Sequence, residues 1–119
     1  FVIAELETER YIGQLDMFRV DWRLRCGELG MVIGDGAERG QGIGVEALEL
    51  MQRFAFENIG LERLELDVHM NNLAARRCYE KAGFFLEGVK RHAFFSEGAF
   101  CDVGFMSVLC EEWRQRARA

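Results

Sequence analysis

The sequence contains no proline, two histidines and four cysteines, and no apolar run near the roughly 18 residues of a membrane-spanning helix. The missing proline departs from an ordinary usage of about 5% and points to no particular function. Two histidines far apart leave a dedicated metal site unsupported, and none is assigned. Cys26, Cys78, Cys101 and Cys110 sit among apolar neighbours, at spacings that suit neither a disulfide framework nor a zinc site. That usage points to a reducing, cytoplasmic setting. Positive charge is also in short supply: 15 Lys and Arg against 20 Asp and Glu give a net charge of −5. This argues against nucleic acid held by a broad basic surface. The lack of an apolar span argues against a membrane. Neither methionine nor a signal peptide opens the chain, which starts at Phe1 inside a strand-like run. It is therefore read as an N-terminally incomplete part of a longer protein.

What is present suits one globular domain over residues 1–119: half the residues are hydrophobic and 29% are charged. No repeat, linker or low-complexity stretch interrupts it. Residues 1–20 read as two strands around a polar turn at Glu7–Glu9, with Tyr11, Ile12, Leu15 and Phe18 in the second. Cys26 to Gly34 is a third strand, whose glycines suggest a bulge or close approach of a ligand to the backbone. A helix is expected from about Val45 to Asn58, with Ala47, Leu48, Met51 and Ala55 in phase and Gly60 as its stop. In the strand that follows, Leu64, Leu66 and Val68 should face inward and Arg63, Glu65 and Asp67 outward. Asn71 or Asn72 can cap a second helix, Leu73 to Ala82, with Gly83 in the left-handed position behind it. Two strands, about 84–95 and 101–109, close the chain around Ser96-Glu97-Gly98. Beyond them Arg114, Arg116 and Arg118 read as a frayed, solvated end. The order β-β-β-α-β-α-β-β fits a mixed α/β (α+β) sheet with flanking helices.

Two segments carry chemical information. The first is Arg39-Gly40-Gln41-Gly42-Ile43-Gly44, between a strand and a helix start. Few side chains there let a ligand reach backbone N–H groups, and the helix N-terminus adds unpaired donors and roughly half a positive charge. Such a loop can hold a phosphate or pyrophosphate; it can also be a plain turn. The Walker pattern fails, because no glycine is followed by Lys and then Ser or Thr. A dinucleotide fingerprint fits in part through Gly42, Gly44, Ala47 and the later Asp67, but three strands precede the loop instead of one. The spacing of Arg39, Gly42 and Gly44 also matches Q/R-x-x-G-x-G/A.

The second segment is Asn71 to Phe84. Its Asn72, Ala75, Tyr79, Lys81, Gly83 and Phe84 match N-x-x-A-x-x-x-Y-x-K-x-G-F. With both patterns, the chain resembles the GNAT N-acetyltransferase superfamily from Phe1 to about Trp113. Its flanking sequence, including FFLEGVKRHAFF and MSVLCEEW, is similar to the branch that includes ribosomal-protein N-terminal acetyltransferases and spermidine acetyltransferases. The sheet of such proteins is mixed and mostly antiparallel, and they carry a first strand and two helices ahead of the region that starts here. On the helix, Asn72 and Tyr79 differ in direction by only about 20°, with small Ala75 between them, so a pantetheine arm could lie along that stripe.

The resemblance implies acetyl transfer from acetyl-coenzyme A to a primary amine on a protein N-terminus, a polyamine or another small molecule, by direct attack on the thioester. Backbone groups of Met31, Val32 and Ile33 would hold the acetyl carbonyl and pantetheine amides. Arg39, Gly40, Gln41, Gly42, Ile43 and Gly44 would hold the pyrophosphate, and Asn72, Ala75 and Tyr79 would line the arm. Tyr79 would be the general acid, and Glu28 is the candidate base. Arg76, Arg77 or Lys81 could meet the 3′-phosphate, and His92, Glu97 and Asp102 could line the acceptor site. A homodimer is common in that branch. The rival readings are a catalytically silent acyl-coenzyme A-binding or sensory module, and a nicotinamide-dinucleotide domain.

Overall fold

The computed structural model describes residues 2–4, 11–33 and 37–118, with side chains from 14–32 and 42–118. The expected turn at Glu7–Glu9 lies outside the described residues, as do the side chains of Arg39 and Gln41.

Six strands form one sheet: β1 (Val2–Ala4), β2 (Tyr11–Asp21), β3 (Cys26–Ile33), β4 (Arg63–His69), β5 (Phe85–Ser96) and β6 (Ala99–Leu109), in the order β1-β2-β3-β4-β6-β5. Only β3 and β4 run parallel; the other neighbouring pairs are antiparallel. The mixed, mostly antiparallel sheet agrees with the expectation from sequence. The β2–β3 turn is set by Asp21, whose Oδ1 accepts the N–H groups of Arg23 and Leu24 at 3.0 and 3.1 Å. The β5–β6 turn is two residues long. Glu97 and Gly98, at φ 54° and 76°, take the left-handed conformations that suit a tight hairpin.

Alternation along β4 places Leu64, Leu66 and Val68 in the core and leaves Asp67 and His69 exposed. Leu15, Leu29, Met106 and Val108 join the same inner face. Helices α1 (Ala37–Arg53) and α2 (Leu73–Lys81) cover it with Leu48, Met51, Cys78 and Tyr79. The opposite face presents Glu28, Val32, Glu65 and Asp67, and no described helix lies over it.

Three expectations need correction. Helix α1 begins at Ala37, not Val45, so Gly40 to Gly44 lie in its opening turns and not in a loop ahead of it. Each glycine costs a helix about 1 kcal/mol; the apolar stripe of Leu48, Met51 and Ala55 packs the helix onto the sheet regardless. Its last turn widens into a π-helical segment, Phe54–Asn58, that the periodicity did not reveal. The basic C-terminus is no frayed end: Cys110–Arg118 form helix α3, with Trp113 packed on Phe56 at a ring separation of 5.7 Å.

Candidate functional site

The parallel joint is brief. Strand β3 pairs with β4 from Cys26↔Arg63 to Leu29↔Leu66 and no further. Yet β3 continues to Ile33, bonded to β2 through Leu15↔Met31 and Gly13↔Ile33. Meanwhile β4 continues to His69, bonded to β6 through His69↔Val103. Beyond Leu29 the two strands part, and alternate backbone groups of Gly30 to Ile33 lose a strand partner on that side. Within that stretch Met31, Val32 and Ile33 are the residues expected to meet a ligand through main-chain groups.

A second irregularity lies on the other side of β3, in β2. Its ladder with β3 slips a residue between Met17 and Arg19, so the bulge suspected in β3 sits at Phe18, across from Leu29 and Glu28. Gly30 faces that bulge: a Cβ there would stand 3.4 Å from the Phe18 ring. Gly27 has a packing reason instead, since a Cβ would come within 3.0 Å of Leu61, Leu64 and Met17.

Both helices start at the same end of this gap, because α1 follows β3 and α2 follows β4, and those strands are parallel. The carboxyl ends of diverging parallel strands, flanked by helix N-termini, are where α/β sheets take anionic ligands. Gly42 is exposed and a Cβ there would meet nothing within 4 Å, so open space lies against its backbone. Gly44 is buried and Ile43 packs against the core. Since the helix starts early, its unpaired N–H groups belong to the turn at 37–40.

Helix α2 is terminated at both ends as its sequence requires. The Asn72 side chain accepts the Ala75 N–H at 3.1 Å, a regular N-cap. At the other end Gly83 (φ 98°) donates to the Glu80 carbonyl and Phe84 to the Tyr79 carbonyl, at 3.0 and 2.9 Å, the paired bonds of a Schellman turn. Tyr79 is 5% exposed, its ring edge-on to Phe84 at 6.2 Å. Its hydroxyl makes no hydrogen bond among the described residues. Burial, with a smaller contribution from Cys78, pushes the phenol up to about 12. With no hydrogen bond to a described residue, the hydroxyl adds little to the fold beyond what the ring supplies.

The other candidates separate. Glu28 projects to the helix-free face and pairs with Arg19 at 3.4 Å. It stands beside Glu65 in the parallel register, just where pairing is about to end. Arg76 turns back to the Met70 carbonyl at 3.3 Å, while Arg77 and Lys81 are exposed. Asp102 accepts the His92 N–H at 2.8 Å and fixes the irregular stretch between Lys90 and Phe94, where His92 has φ 50°. The Asp102 carbonyl accepts from Met70 N–H, which ties that stretch to the end of β4. Glu97 lies apart from them in the hairpin turn. Gln52, to which the sequence drew no attention, and Arg116, expected in a solvated tail, meet at the Ala82 carbonyl behind Tyr79. A glutamine in phase with Leu48 and Ala55 was the available signal for the first; the second stood out only as one of three basic residues near the C-terminus, with no sign of its partner.

A family model, the acetyltransferase (GNAT) domain, matches residues 1–85. The chain belongs to that family. Among GNAT relatives, the probable N-acetyltransferase YjcK of Bacillus subtilis (strain 168) is 33% identical over 110 residues, covering 92% of this chain and 60% of the relative. The spermidine N(1)-acetyltransferase of Vibrio cholerae is 25% identical over 117 residues, covering 98% and 66%. The chain thus spans less than two thirds of either relative. Mutant forms of the spermidine/spermine N-acetyltransferase SpeG from Vibrio cholerae superpose with a TM-score of 0.84 at 25% identity, over 98% of this chain and 69% of that one. The GNAT sheet also disposes of the dinucleotide reading, which needs glycines directly after the first strand of a parallel sheet. No helix among the described residues is long and apolar enough to cross a membrane.

Proposed function

We propose that the protein is an acetyl-coenzyme A-dependent N-acetyltransferase that moves the acetyl group to a primary amine by direct attack on the thioester. The observation that carries this reading is the early end of β3–β4 pairing, with two helix N-termini at the mouth of the gap. Family membership supports the donor. Main-chain groups of Met31, Val32 and Ile33 hold the thioester and pantetheine. The α1 start, with Arg39, Gly40, Gln41, Gly42, Ile43 and Gly44, receives the pyrophosphate. Asn72, Ala75 and Tyr79 flank the arm.

In the reaction the amine nitrogen forms a bond to the acetyl carbon, and the carbon–sulfur bond breaks. Holding both reactants side by side supplies much of the acceleration. Amides of β3 polarise the carbonyl as it gains negative charge. Glu28 takes a proton from the amine through water, and the Tyr79 phenol offers its proton to the departing sulfur. With its phenol at about 12, Tyr79 stays protonated at neutral pH. An ordinary thiol lies near 8.5, so the phenol acts first as a hydrogen-bond donor to the thiolate.

The net charge of −5 favours cationic acceptors, and the similarity to a spermidine N(1)-acetyltransferase makes spermidine the first amine to try. Free cysteines fit a cytoplasmic, reducing location, and a homodimer is the assembly proposed. The test is thiol release from acetyl-coenzyme A against spermidine, peptides with free N-termini and amino acids, beside calorimetric titration with coenzyme A. Turnover with at least one amine is expected. Binding without turnover would leave a silent acyl-coenzyme A module, and the absence of binding would reject the site.

A further inference from the structure

The C-terminal end of α2 is gripped from two other helices. The Schellman turn uses the carbonyls of Tyr79 and Glu80, which leaves those of Lys81 and Ala82. Arg116 of α3 donates to both, through Nη1 to Ala82 and through Nη2 to Lys81 at 3.2 Å. Gln52 of α1, wholly buried, donates Nε2 to the same Ala82 carbonyl at 2.8 Å. Glu49 of α1 stands 3.8 Å from Arg116 and steadies the guanidinium. A cation at this end also suits the helix dipole.

Stability alone does not account for the arrangement. The Oε1 of Gln52 is buried with no partner among the described residues, and an orphaned acceptor is unfavourable where an apolar side chain would not be. Gly83 is held to glycine by its φ of 98°, and the Arg116 guanidinium occupies the space beside it. What the grip fixes is Phe84, delivered by the turn onto the edge of the Tyr79 ring.

We infer that Gln52 and Arg116 are positioning residues, which clamp the Ala82 carbonyl from α1 and α3 and so hold the Phe84–Tyr79 ring pair that aims the phenol at the departing sulfur. The inference rests on the proposed role of Tyr79. It extends the site to two side chains that touch neither substrate.

The test is a double-mutant cycle in the full chain, with acetyl-coenzyme A and the panel amine that gives turnover. Arg116→Ala should lower kcat about tenfold, with the KM for acetyl-coenzyme A and the coenzyme A affinity within about twofold of wild type. Arg116→Lys, which keeps a cationic donor, should recover part of the loss. Adding Arg116→Ala to Tyr79→Phe should slow the enzyme no further. Gln52→Leu removes the second grip and the orphaned acceptor together, so it should fold and still lose kcat; it carries the test where Arg116→Ala fails to fold. A folded variant with unchanged kcat, or multiplying losses in the double mutant, would overturn the inference. Tyr79→Phe with wild-type turnover would instead reject the role of Tyr79, so the two failures are distinguishable.

Discussion

The two sides of β4 are built differently. Toward β6 its ladder is continuous, from Arg63↔Leu109 to His69↔Val103, and β6 is bonded in turn to β5. Toward β3 the ladder stops at Leu29↔Leu66, with four residues of β3 still to run. One flank is a closed sheet whose inner side chains, Leu64, Met106 and Val108, are almost wholly buried. The other is an interrupted sheet, with Val32 63% exposed and Gly30 facing a bulge. Regularity on one side holds the strands in place, while irregularity on the other leaves backbone groups of β3 without a partner in β4. A gap between parallel strands persists only if its walls are anchored elsewhere, and here β2 and β6 anchor them.

The sharpest way to break this division is to damage the closed flank. Leu64→Ala should cost about 2–5 kcal/mol in denaturant unfolding, while turnover per folded molecule stays near wild type. On the open flank, Gly42→Val should weaken coenzyme A binding about a hundredfold, roughly 2.7 kcal/mol by calorimetry. Its melting temperature should hold, since a Cβ at Gly42 meets nothing within 4 Å and valine suits a helix better than glycine. Tyr79→Phe should reduce kcat by about tenfold to a hundredfold with coenzyme affinity and stability unchanged, because the hydroxyl bonds to no described residue. Glu28→Gln should flatten the acid limb of the pH–rate profile and lower kcat severalfold; an unaltered limb would reduce Glu28 to a partner of Arg19.

The smallest expected effect is thermodynamic and its sign follows from burial. Tyr79 holds its proton up to about pH 12 in the fold, while an unfolded tyrosine releases it near pH 10. The stability linked to this group is fully present below about pH 10. It falls between about pH 10 and pH 12 by up to about 1.4 kcal/mol per pH unit. Unfolding free energies measured across that window should decline less steeply in Tyr79→Phe.

Patterns with a local cause were legible in sequence. Asn72, Gly83 and Phe84 announce the two ends of α2 because capping and left-handed turns are decided within a few residues. The alternation of Leu64, Leu66 and Val68 announces which face of β4 is buried. What stayed hidden depends on distant partners. The start of α1 was misplaced because glycine propensity argues for a loop, whereas packing of Leu48 and Met51 on the sheet decides the helix. Helix α3 was missed because its charged sequence hides the contacts of Trp113 and Arg116 with α1 and α2. The two glycines of β3 also look alike in sequence. Only the fold separates Gly27, packed against Leu61 and Leu64, from Gly30, beside the bulge.

The parallel joint has a kinetic consequence. Strands β2 and β3 are joined by a short turn, as are β5 and β6, so each hairpin can zip up locally. Uniting β3 with β4 closes the whole intervening stretch of chain, α1 included. The joint should therefore form late and open early, and amide protons along it should exchange before those between β4 and β6. A ligand lodged there would fasten the last-formed connection of the molecule, and protection from exchange would spread into both hairpins.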